Sequence, residues 1–259
     1  MIAFLYSLPD LGLAALFTSV IALGFVVAPL MRCCLFGQVS KAHSEIVRTT
    51  MMTVTGFTGL VLAFSLVQAQ GNLRLAQQTV TGEALQLNQM DRLLVRYGND
   101  QVSAIRKAVD VYGESIVVDE WPRLSKHDSS QRTATLFRAL SQQIVAIEPA
   151  PGRETVIYAE LVKLTEQLAS SRDDRLTATD LALPPIFWEV IGLMTVLLAG
   201  FAAFTEPTPG NIGSLGGLGA GLGLLLTLVF IFDQPFLGNT SVTPEPIAKA
   251  LVVMRARTN

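Results

Sequence analysis

Few residues in this chain of 259 have the types and spacing that catalysis needs. A nucleophile, a base and an orienting group must converge, or metal ligands must cluster. The two histidines, His43 and His127, stand at no metal-ligand spacing from Cys, Asp or Glu. No phosphate-binding loop, dinucleotide fingerprint or nucleophile elbow is present. The glycine run from Gly213 to Gly223 has no Lys-Ser/Thr after it and reads as helix packing. The chain is therefore read as a non-enzyme with no catalytic, cofactor-binding or metal site. What remains of chemical interest is charge in or beside apolar sequence, which is costly near a bilayer and tends to be placed for a reason. Glu83 interrupts an apolar row. Glu189 and Asp233 sit near the ends of apolar segments. Glu189 reads either as such a functional acid or as an interfacial one favoured by a helix N-terminus. Asp233 reads either as functional or as a helix-end residue bonded to the following turn. Glu83, Glu120, Arg172 and Arg175 have the signs of an ion-pair set between helices.

The elements that must position these residues follow from the distribution of charge. Half of the residues are hydrophobic and 15% are charged, against about a quarter charged in a soluble domain. No Asp, Glu, Lys or Arg lies between Asp10 and Arg32, between Arg48 and Arg74, or between Glu206 and Asp233. The window from Leu181 to Thr205 holds only Glu189. Each window accommodates a membrane-spanning helix, which needs roughly 20 apolar residues. The stretch from Gly71 to Asp180, by contrast, carries 13 of the 19 Lys and Arg and 15 of the 21 Asp and Glu, so it faces water. That near balance excludes a nucleic-acid surface, which shows a clustered basic excess. Cys33 and Cys34 are neighbours with no third cysteine, so no disulfide is expected. They read as small apolar residues at a helix end, or as sites of reversible acylation. The first apolar run is too long for a cleaved leader and is read as a retained helix.

These windows predict transmembrane helices over about 11–31, 49–70, 185–205 and 212–232. The fold class is all-α: a four-helix transmembrane bundle with a helical hydrophilic domain, 71–183, inserted between the second and third helices. Residues 1–70 hold the first pair, 184–232 the second pair, and 233–259 form an amphipathic tail. A polar link from Arg32 to Arg48 joins the first pair. The second helix is rich in Thr, Gly and Ala, with Thr53 and Gly56 among them, and is expected to be buried in the bundle. Its pattern continues past the membrane: Leu73, Val80, Leu87 and Leu94 recur every seven residues beside Ala76, Met90 and Tyr97, and only Glu83 breaks that second row. One long helix should therefore end near Gly98. Further helices are expected over 100–114, 129–147 and 154–172, with an interruption at Glu120-Trp121-Pro122. On the fourth transmembrane helix, Gly213, Gly217 and Gly221 are taken as the close-packing face, with Gly219 and Gly223 adjacent. Leucine at Gly217 or Gly221 should then impair folding.

The order of features resembles the bestrophin-like family of multi-pass membrane proteins. The resemblance rests on His43, Glu83-Ala84, the run Leu93 to Gly98, Glu120-Trp121-Pro122, Arg172 with Arg175, Pro184 to Trp188, and the closing Asp233-Gln234-Pro235-Phe236-Leu237-Gly238. It spans almost the whole chain. The family is named for a distant similarity to bestrophins, pentameric anion channels with a pore along the second helix, whose aromatic pore-neck signature this chain lacks. The resemblance implies a homo-oligomeric channel or pore for inorganic ions. The alternative is a non-conducting scaffold or sensor whose helical domain binds a partner. Short links suit a bacterial inner membrane, with the lipid bilayer as the immediate partner. Arg32, Lys41 and Arg48 lie in the first link, and Asp10 and Arg32 flank the first helix. Lys249, Arg255 and Arg257 of the tail count on the opposite side. With the first helix taken as decisive, the positive-inside rule puts that link in the cytoplasm and the termini and helical domain outside, opposite to the bestrophin arrangement.

Overall fold

The computed structural model describes residues 5–6, 8–36, 41–98 and 100–257. The side chains of Cys33 and His43 lie outside the described residues, and Cys34 is exposed. The chain is all-α: no strand occurs among the described residues. The helices are α1 (Asp10–Phe36), α2 (Lys41–Tyr97), α3 (Asp100–Ser115), α4 (Trp121–Leu124), α5 (Gln131–Val145), α6 (Arg153–Thr177), α7 (Pro185–Ala202), α8 (Pro209–Asp233) and α9 (Glu245–Ala256). Four helical stretches are long and apolar enough to cross a membrane. They fall on α1, on α2, on the stretch that ends with α7, and on α8.

Local chemistry sets the ends of these helices. Pro185 opens α7 and Pro209 opens α8, where a missing N–H loses no partner. The Thr208 hydroxyl accepts from the Asn211 N–H at the start of α8, and Ser130 does the same for Thr133 at the start of α5. Gly98, at φ 77°, closes α2 with its N–H on the Leu94 carbonyl, a left-handed position that favours glycine. The polar link is shorter than its charges suggested. Between Arg32 and Phe36 there is neither Gly nor Pro, so α1 continues, and α2 already begins at Lys41. The interruption at Glu120 is a π-helical turn, Ile116–Glu120, running directly into α4.

The chain divides into two compact units, one of residues 1–72 and 182–241, the other of 73–181 and 242–259. In the first, Phe25, Leu62, Ile191, Leu198, Leu222 and Val229 form an apolar core. Here α1 and α8 approach closely, through a different glycine face from the one expected. A Cβ added at Gly223 would lie 2.6 Å from Thr18 Cα, and one at Gly219 would lie 2.8 Å from Ala22 Cα. Gly213, Gly217 and Gly221 meet nothing within 4 Å. Spacing alone is the same for both rows; what distinguishes them is which row turns toward α1.

The expectation of a buried second helix also changes. Within one chain its membrane part buries Thr58, Leu62, Ser65 and Ala69, while Thr49, Thr53, Gly56, Leu60, Phe64 and Val67 stay exposed. In the second unit the seven-residue stripe of α2 is buried along its length, from Leu73 to Tyr97. Val109 and Ile116, Leu140 and Ile144, and Leu161 and Leu168 are buried in the same unit. Helix α9 belongs to the same unit. Its Leu251 side chain fills the space over Gly113, where an added Cβ would sit 2.7 Å away.

This packing makes a directional prediction. Gly223→Leu drives a side chain into the α1 backbone, at a cost of about 1–3 kcal/mol or more, and should abolish monodisperse folded protein in detergent size-exclusion chromatography. Gly221→Leu should elute and melt like wild type. Equal loss in both variants would show that the close face is misidentified.

Candidate functional site

The apolar stripe of α2 puts Glu83 in the core of the second unit, where its side chain is 0% exposed. A carboxylate there is tolerated only if paired and hydrogen-bonded. Helix α6 supplies the partner. Arg175 Nε donates to Glu83 Oε2 at 2.6 Å and Nη2 to Oε1 at 3.3 Å, a fork-to-fork pair. The same Nη2 donates to Glu120 Oε2 at 2.7 Å, so Arg175 holds two buried carboxylates together. One turn earlier on α6, Arg172 donates to the other Glu120 oxygen at 2.7 Å. Two acids and two arginines make the group electrically neutral. Burial alone would depress the Arg175 pKa. The charge and hydrogen bond of Glu83, followed by the charge of Glu120, outweigh burial and hold the guanidinium above its ordinary value.

The π turn brings Glu120 to this place. Its wider winding shifts the register of the following residues relative to an α-helix. Around it, the Thr133 hydroxyl donates to the Ser115 carbonyl and the Ser130 N–H to Glu120 Oε1. Trp121 is half-buried just beyond the turn. Tyr112, one turn before it on α3, donates its hydroxyl to Glu83 Oε1 at 3.3 Å and is fully buried. Burial first, and then the Glu83 carboxylate, push the Tyr112 phenol well above its usual value.

A second constellation lies in the other unit. Asp233, the last residue of α8, accepts from the Leu183 N–H at 2.7 Å and from the Trp188 indole N–H at 3.3 Å. The expectation that it bonds to the following turn is thus corrected. The free N–H groups before α7 offer better donors than a turn interrupted by Pro235. Pro235 is buried and Phe236 half-buried. Gly238, at φ 87°, lies under Tyr6, whose ring would come within 3.2 Å of an added Cβ. Tyr6 stacks on Phe230 at 4.4 Å and donates to its carbonyl, one of the last of α8.

Of the other residues singled out from sequence, Glu189 is exposed on α7, and Thr53 and Gly56 lie on the exposed side of α2. They join neither constellation. Sequence reasoning missed Tyr112, Thr133, Trp188 and Tyr6 as members. Tyr112 had a signal, since Val102, Ile105, Val109, Tyr112 and Ile116 follow helical spacing on one face. The hydrogen bonds of Tyr6 and Trp188 are made over 224 and 45 residues of sequence, and nothing local announces them.

Compared with known proteins, the chain matches the family model of the Bestrophin-like domain over residues 18–247. No curated protein matches it. The match includes both constellations except Tyr6.

The raised Tyr112 pKa gives a signed prediction. Because its folded pKa lies above the unfolded value near 10, its contribution is fully present below about pH 10. It falls as pH rises further, because the unfolded tyrosine ionises and the folded one does not. Melting of wild type should drop steeply between about pH 9.5 and 11, and Tyr112→Phe should flatten that slope. Unchanged slopes would remove Tyr112 from the buried network.

Proposed function

The chain belongs to the bestrophin-like family, and on that premise we propose that it assembles with copies of itself into an ion-conducting pore of a bacterial inner membrane, with α2 around the axis. The carrying observation is the exposed face of α2. In the first unit it presents Thr49, Thr53, Gly56, Leu60 and Val67, with no Lys, Arg, Asp or Glu between Arg48 and Arg74. Thr49 and Thr53 satisfy their hydroxyl protons on the carbonyls four residues earlier, leaving oxygen lone pairs outward. A face of mixed hydroxyl, glycine and aliphatic character is poorly matched to lipid and well matched to a neighbouring helix or a narrow aqueous path. In the second unit α2 continues to expose Leu75, Gln78 and Leu85, together with Arg74 and Arg92. A second copy supplies the cover for both stretches.

The buried ion-pair group fits a structural part in this scheme, because neutral paired charge holds α2, α3 and α6 in one register without presenting a reactive group. That structural part supports the channel reading over an enzymatic one. We retain the orientation given by the first-link charges, with that link in the cytoplasm and the second unit outside. A non-conducting scaffold whose second unit binds a partner is the competing reading, supported by the size of that unit.

Recording from purified protein in planar bilayers tests the proposal. Discrete conductance steps are expected. In a background without Cys33 and Cys34, modification of Thr53→Cys by a charged thiol reagent should reduce the current. Silent bilayers from a monodisperse oligomer would decide for the scaffold.

A further inference from the structure

The second unit contains a cleft of about 480 Å³ that none of the preceding roles uses. Asp91 of α2, Ser103, Arg106, Lys107 and Asp110 of α3, and Arg255 of α9 line it. Its volume lies within the range of small-molecule sites, roughly 300–1,000 Å³. The charges around it are organised. Asp91, nearly fully buried, accepts from Arg106 Nε at 2.9 Å and from Arg257 Nη1 at 2.7 Å, so one carboxylate positions two guanidinium groups. Arg255 of α9 is gripped by Asp110 at 2.7 Å and by Glu114 at 2.8 Å.

Counting Arg257 and Glu114, which pair with lining residues, four cations (Arg106, Lys107, Arg255, Arg257) accompany three acids (Asp91, Asp110, Glu114), a surplus of one positive charge. The surplus is localised. Lys107 forms no ion pair among the described residues, and its exposed side chain shares a helix face with the Ser103 hydroxyl one turn earlier. A mobile ammonium, a hydroxyl donor and a guanidinium already fixed by a buried acid are the groups that recognise a phosphate oxygen set. We propose that this cleft binds a small phosphate-bearing anion, with Lys107 as the principal contact, Ser103 as a neutral donor and Arg106 as fixed positive charge. Because α9 forms one wall, such a ligand would tie the C-terminal helix to α3. The proposal does not depend on whether the protein conducts ions.

The test is isothermal titration of the full-length protein in detergent with sodium phosphate, at ionic strength held constant with chloride. Wild type should bind one phosphate per chain saturably. Lys107→Met, an exposed change that leaves every ion pair above intact, should weaken binding by about tenfold or more. Asp110→Asn, which removes one lining acid while Arg255 keeps Glu114, should tighten it. No saturable binding in wild type at millimolar phosphate, or equal affinity in wild type and Lys107→Met, would overturn the assignment. So would weaker binding in Asp110→Asn.

Discussion

A single buried carboxylate constrains the second unit more than any other group. Glu83 occupies a core position in the apolar stripe of α2, and a charge there without a partner costs several kcal/mol. The compensating Arg175 must therefore come from a helix packed against that stripe, and its remaining donors must find acceptors in turn. Glu120 meets this need, and the π turn delivers it. Arg172, Ser130 and Tyr112 complete the neutral group. The relative register of α2, α3 and α6 follows from these bonds. Apolar packing alone would tolerate sliding among similar Leu and Val side chains, whereas a bidentate pair tolerates little.

The first unit satisfies the same kind of requirement by other means. There the need is to pair backbone groups at helix ends and to bring helices close. Asp233 caps the chain before α7 with one oxygen and holds the Trp188 indole with the other. Tyr6 takes up a terminal carbonyl of α8 while its ring covers Gly238. Gly219 and Gly223 let α8 approach the α1 backbone. The chain thus fastens its hydrophilic unit with paired charge and its membrane unit with small residues and single acids. That division follows the cost of charge in each medium.

Much of this is legible in the sequence. The charge-free windows located the apolar helices, and the seven-residue stripe placed the C-terminal end of α2 near Gly98, because burial in a helix leaves a periodic trace. The one break in that stripe identified Glu83, and the signs of Glu120, Arg172 and Arg175 suggested its companions. The π turn was visible only as a disturbance at Glu120-Trp121-Pro122, since its extra residue per turn has no compositional mark. Two glycine rows of equal spacing could not be ranked, because the direction in which α8 faces α1 is a tertiary fact. Thr53 and Gly56 are exposed within one chain for a related reason. Small residues announce that a helix will be approached closely, but not whether by its own chain or by another.

If the ion-pair group sets the register, its members are energetically coupled. The most direct measurement is a double-mutant cycle on Glu83→Gln and Arg175→Met, read by reversible denaturant unfolding in detergent. The account predicts that Arg175→Met alone costs about 3–5 kcal/mol, and that the double variant recovers part of this, with a coupling of at least about 1.5 kcal/mol. Costs that add to within about 0.5 kcal/mol would contradict it.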